Sequence, residues 1–133
     1  MILALFDMGK SEVHICRAGH NKAIISSNGS MEYLHSAGIG LGLERGPIFE
    51  NHLEEIRRTL KGNELFLFYS DGLTEAMNER RQQFGEDAIC SLIAAVRAHP
   101  AGAIQQSILT AVKEFQGTAE QHDDVTIVVV KTH

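Results

Sequence analysis

A period of two governs roughly the first seventy residues, and a helical period takes over after them. Ile2 to Met8 is an apolar strand ended by a Gly9-Lys10 turn. Glu12 to Arg17 alternates, with Val13 and Ile15 on one face and His14 and Cys16 on the other. Asn21-Lys22 turns into the strand Ala23–Ser26. Asn28-Gly29 is the strongest hairpin signal in the chain, with Met31–His35 as the returning strand. Gly38 to Gly42 reads as a loop, and Ile48 to Leu60 as one or two half-buried strands. Lys61-Gly62-Asn63 then turns into Leu65–Tyr69. That run has no alternation, so it predicts a central strand covered on both faces.

Phe84, Ala88, Ile89, Leu92, Ile93 and Val96 recur at helical spacing. Ile104, Ile108, Val112 and Phe115 form the stripe of a second helix, with Pro100 at its first position and Gly117 as its stop. The strand Val125–Val130 closes the chain and is expected beside Leu65–Tyr69. About six strands, two helices and a last strand make an α+β layout.

At 133 residues the chain suits one domain with one core. Its 44% apolar and 22% charged residues are those of an ordinary globular protein. A net charge of −5 with no Lys/Arg cluster argues against nucleic acid and against an anionic membrane surface as partners. No apolar run approaches the roughly 18 residues of a membrane span, and Met1–Asp7 lacks the basic start of a signal peptide. Cys16 and Cys90, in apolar segments and without motif spacing, read as buried thiols of a cytoplasmic protein. An apolar strand that begins at residue 1 is expected in a chain cut from something longer.

Two acidic pairs carry the candidate chemistry. Asp71-Gly72 follows Leu65–Tyr69, and Asp123-Asp124 precedes Val125–Val130. Carboxylates at the rims of neighbouring core strands suit hard cations such as Mg²⁺ or Mn²⁺. Each pair alone reads first as a solvated turn, and only the two together, both flanking core strands, bring the metal reading level with it. Gly38-Ile39-Gly40-Leu41-Gly42 fails the G-x-G-x-x-G pattern and reads as a flexible or tightly packed loop. Seven histidines form no H-x₃-H or H-E-x-x-H arrangement, and there is no G-x-S-x-G elbow. Catalysis by a protein nucleophile therefore has no support in the sequence.

Taken together, Ala18-Gly19-His20-Asn21, the Gly38–Leu43 loop, Ser70-Asp71-Gly72-Leu73-Thr74-Glu75-Ala76, Phe84-Gly85 and His122-Asp123-Asp124-Val125-Thr126 resemble one family in their order. It is the 2C superfamily of metal-dependent protein phosphatases, in the bacterial branch typified by the stage II sporulation protein E phosphatase domain. The resemblance implies a PP2C-like antiparallel β-sandwich with flanking helices, of which this chain is the C-terminal part. It implies two Mn²⁺ or Mg²⁺ ions and hydrolysis of phosphoserine or phosphothreonine by a metal-activated water. The implied substrate is a bacterial regulatory phosphoprotein such as an anti-anti-sigma-type factor.

On this resemblance Asp71 and Asp123 match metal-binding aspartates, and Asp124 matches a position that is Asp or Asn in the family. Gly72, Thr74 and Thr126 would support the local geometry. The family's earlier Asp-x-x-Gly-His-Gly block, whose Asp bridges the metals, has no match here. Two functions follow: a metal-dependent serine/threonine phosphatase, or a non-catalytic regulatory or interaction module that kept the core without the full metal site. The Ile2–Phe6 strand, lacking Pro, Gly and charge, is expected to pair with a second copy of the chain.

Overall fold

A computed structural model describes residues 1–133. The strands are β1 (Ile2–Asp7), β2 (Glu12–Arg17), β3 (Ile24–Ser27) and β4 (Ser30–Tyr33). A short helix α1 (Pro47–Asn51) precedes β5 (Glu55–Thr59) and β6 (Leu65–Tyr69). Helices α2 (Asp71–Thr74), α3 (Gly85–Val96) and α4 (Ala101–Gln116) lead into β7 (Ile127–Lys131). All pairings are antiparallel, in one sheet ordered β1-β2-β5 and another ordered β4-β3-β6-β7.

The two sheets and the helices form three layers, and β6 explains why. Phe66 and Phe68 point into the space between the sheets, among Val13, Ile15, Ile25 and Leu34. Leu65, Leu67 and Tyr69 point the other way, onto Ile89 and Ile93 of α3 and Ile104, Ile108 and Val112 of α4. Both faces of β6 are therefore buried, as its unbroken apolar run predicts. Phe6 meets Phe66 edge to face at 5.3 Å, an arrangement that aligns a positive ring edge with a negative ring face. The β3–β4 hairpin turns through Asn28 and Gly29, both at positive φ, 48° and 86°. Glycine reaches such angles without strain and asparagine more easily than most residues, so this dipeptide fits the turn.

Several sequence expectations change. The Ile48–Leu60 segment holds one strand and one short helix rather than strands alone. Pro47 opens α1, since its fixed φ suits a first helical turn and its missing N–H has no helical partner to lose. Pro100 caps α4 from just outside it, with ψ at 152°, rather than occupying its first turn. The closing strand starts at Ile127, because Val125 and Thr126 belong to a loop engaged with the end of β6. Both cysteines are free but only half-buried. Cys16 lies on the outer face of β2 opposite Leu3, and the Cys90 thiol meets the Tyr33 hydroxyl at 3.3 Å.

The glycine loop is tightly packed. A Cβ at Gly38 would overlap the Arg17 carbonyl, and one at Gly19 would lie 2.6 Å from the Gly40 Cα. Arg17 braces the same contact by donating to the carbonyl oxygens of Ser36 and His20.

The sheets are also joined by charge. Arg58 on β5 donates to Glu64, just before β6, at 2.8 Å and to Glu32 on β4 at 2.6 Å. Glu64 is fully buried and takes a second hydrogen bond from the Lys61 backbone N–H.

Candidate functional site

The β6–β7 register decides where the acidic pairs lie. Tyr69 pairs with Ile127, so the segment leaving β6 and the segment entering β7 emerge at the same end of the sheet. Ser70 continues the contact past the strands. Its backbone N–H donates to the Thr126 carbonyl at 3.0 Å. Its hydroxyl accepts from the Thr126 N–H at 2.9 Å and donates to the Asp124 carbonyl at 2.9 Å.

Asp71 then opens α2, which is held down by the fully buried Leu73. The Thr74 hydroxyl donates back to the Asp71 carbonyl at 3.1 Å. Gly72 sits hard against the other loop: a Cβ there would overlap the Asp124 carbonyl oxygen and lie 3.3 Å from that of Asp123. Only a residue without a side chain lets the two loops come this close.

Each aspartate is partly held by its own backbone. Asp71 Oδ1 accepts from the Gly72 N–H at 3.2 Å, and Asp123 Oδ1 accepts from the Asp124 N–H at 2.7 Å. Gln121 clamps the second loop by donating to the Asp123 carbonyl at 2.8 Å. A hollow of about 240 Å³ opens beside them, lined by Gly72, Glu75, Gln116, His122 and Asp123 among others.

Asp71, Gly72 and Thr74 on α2, and Asp123, Asp124 and Thr126 on the loop before β7, are thus brought together at one end of β6 and β7. Thr126 takes part through its backbone rather than its hydroxyl. Ser70 and Gln121 were not singled out as site residues from the sequence. Ser70 had a signal, standing inside the Ser-Asp-Gly block, but its bonding partners lie more than fifty residues away. Carboxylate oxygens are the right donors for Mg²⁺ or Mn²⁺. Their number falls short, since no group of three or more His, Cys, Asp or Glu side chains is placed to hold a metal ion.

The solved structures that resemble this chain share its fold. The SpoIIE phosphatase domain of Bacillus subtilis superposes with a TM-score of 0.74 at 17% identity, over 99% of this chain and 56% of that one. The SiaA-PP2C domain of Pseudomonas aeruginosa gives 0.79 at 20% identity, over 99% and 51%. The RsbU and RsbW domains of Rv1364c from Mycobacterium tuberculosis give 0.77 at 22%, over 98% and 35%. The chain spans about half the length of the first two. No curated protein matches it, and no helix is long and apolar enough to cross a membrane. A solved SpoIIE structure from Bacillus subtilis that resembles this chain is described as a PP2C phosphatase domain. The family model described as stage II sporulation protein E (SpoIIE) matches residues 1–133, and this chain belongs to that family.

Proposed function

We propose that this chain forms part of a metal-dependent protein phosphatase acting on phosphoserine or phosphothreonine in a bacterial regulatory phosphoprotein, such as an anti-anti-sigma-type factor. The observation that carries the reading is the joining of the Asp71 loop to the Asp123-Asp124 loop through Ser70 and Gly72. Asp71 and Asp123 would supply oxygen ligands to Mn²⁺ or Mg²⁺, with Asp124 beside them. When bound, such ions lower the pKa of a coordinated water and offset charge on phosphoryl oxygens. The bonds through Ser70 hold the two aspartate-bearing segments at one end of the sheet, and the hollow beside Asp123 gives the phosphorylated segment room to approach.

The acid set within these 133 residues is too small for a two-metal clamp. The isolated chain is therefore expected to bind Mn²⁺ weakly and to hydrolyse p-nitrophenyl phosphate slowly or not at all. Paramagnetic broadening by Mn²⁺ should centre on Asp71 and Asp123 and vanish in Asp71→Asn and Asp123→Asn. Broadening that survives both changes would remove these residues from the metal site and favour a non-catalytic interaction module.

A second reading concerns the partner of β1. This strand pairs with β2 alone, and Leu3 and Leu5 on its outer face are each 62% exposed. The Ile2–Phe6 run of this edge strand, without Pro or charge, is a template for pairing, and a second copy of the chain supplies a matching edge.

A further inference from the structure

Serine at the position before a helix ordinarily turns its oxygen to the free N–H groups of the first helical turn. Ser70 holds that position before α2, with extended dihedrals of −78° and 162°, yet makes no such cap. Its hydroxyl instead crosses to the other loop, giving its proton to the Asp124 carbonyl and taking the Thr126 N–H, both at 2.9 Å. Both hydrogen-bonding capacities of the oxygen thus serve the Asp123-Asp124 loop. That loop is otherwise tied to the sheet by the Ser70 backbone N–H bond to the Thr126 carbonyl and by Val125 packing on the helix-side core. Val125 and Thr126 lie outside β7, and Gln121 binds within the loop itself.

We propose that Ser70 is a positioning residue, a latch that sets the spacing and orientation of the Asp123-Asp124 loop relative to Asp71. It touches neither metal nor substrate. It acts through the backbone groups on either side of Val125, while Gly72 makes room for the close approach. The latch deepens the phosphatase reading and rests on it for its consequence, since outer groups that orient metal ligands commonly govern affinity by about 10–100-fold.

Two variants test it, Ser70→Ala, which removes the hydroxyl, and Ser70→Thr, which keeps it. Amide hydrogen exchange in the metal-free chain reads the latch directly. The latch requires that Ser70→Ala speed exchange at Thr126 and its loop neighbours about tenfold or more. Leu67 and Val129 in the strand interiors should be unchanged, and Ser70→Thr should stay close to the parent. Unchanged exchange at Thr126 would overturn the latch. So would an equal rise in the strands, or a threonine variant as loose as the alanine one. Mn²⁺ titration followed by line broadening reads the consequence separately. If the parent chain binds at Asp71 and Asp123, Ser70→Ala should weaken that binding about tenfold, and equal binding overturns the positioning role. If the parent shows no such binding, the metal reading fails, and the exchange result alone judges the latch.

Discussion

Arg58→Ala should be among the most destabilising single changes in this protein. The guanidinium bridges a fully buried carboxylate, Glu64, and an exposed one, Glu32. The Glu32 arm is a surface pair worth about 0–1 kcal/mol. The Glu64 arm matters more. Without Arg58, the Glu64 carboxylate keeps only the Lys61 N–H at 2.7 Å as a side-chain partner and remains inside the protein. Leaving one member of a buried pair uncompensated costs about 3–5 kcal/mol. At about 4 °C per kcal/mol for a domain of this size, the melting temperature should fall by ~12–20 °C.

Removing both charges separates the two parts of that cost. Arg58→Met with Glu64→Leu eliminates the stranded carboxylate and also the buried Arg58 Nε, which has no partner of its own. It leaves the Lys61 N–H unpaired, so the double variant should lose only about 1–2 kcal/mol. Urea unfolding at unchanged slope measures both values. A single variant within about 1 kcal/mol of the parent, or a double variant worse than the single, would refute the view that Glu64 depends on Arg58.

The two tyrosines give a pH prediction that absorbance can follow, since the chain has no tryptophan. Burial, with help from the neighbouring Cys90 thiol and Glu86 carboxylate, raises the Tyr33 phenol, and burial with the Glu86 charge raises Tyr69. Both stay neutral in the folded state beyond the usual value of ~10. The unfolded chain loses these protons first, so their contribution to stability is full below about pH 10 and declines as pH rises above it. Phenolate absorbance should appear together with alkaline unfolding, and a normal titration near pH 10 in the folded chain would contradict this. At the β1 edge, Leu3→Lys with Leu5→Lys should shift sedimentation toward the monomer, while Ile2 packs inward and is the wrong place for the charge. A parent chain that is already monomeric at tens of micromolar would dismiss the pairing.

Local chemistry alone determined much of this protein. The uninterrupted run at Leu65–Tyr69 could only be a strand with both faces covered, because every position needed removal from water. Asn28-Gly29 specified its turn through backbone angles that few other pairs tolerate. The spacing of Ile104, Ile108 and Val112 specified a helix with one buried stripe, and all three are buried. These are properties of short segments, settled by dihedral preference and period. Between Ile48 and Leu60 the hydrophobic signal is weak, and in the sequence α1 is marked only by Pro47 at its first turn.

Tertiary structure decided what depended on distant partners. Ser70 looks like an ordinary helix cap until β7 comes beside β6 and offers its hydroxyl a better set of partners. Arg58 looks like a surface cation until the two sheets close over Glu64. Asp71 and Asp123 are 52 positions apart in the sequence, and only the antiparallel register of two core strands puts their loops at the same end. A hydrogen bond requires a separation of a few ångströms, and no local pattern encodes it when the chain between the partners must first fold three helices, as between Ser70 and Asp124.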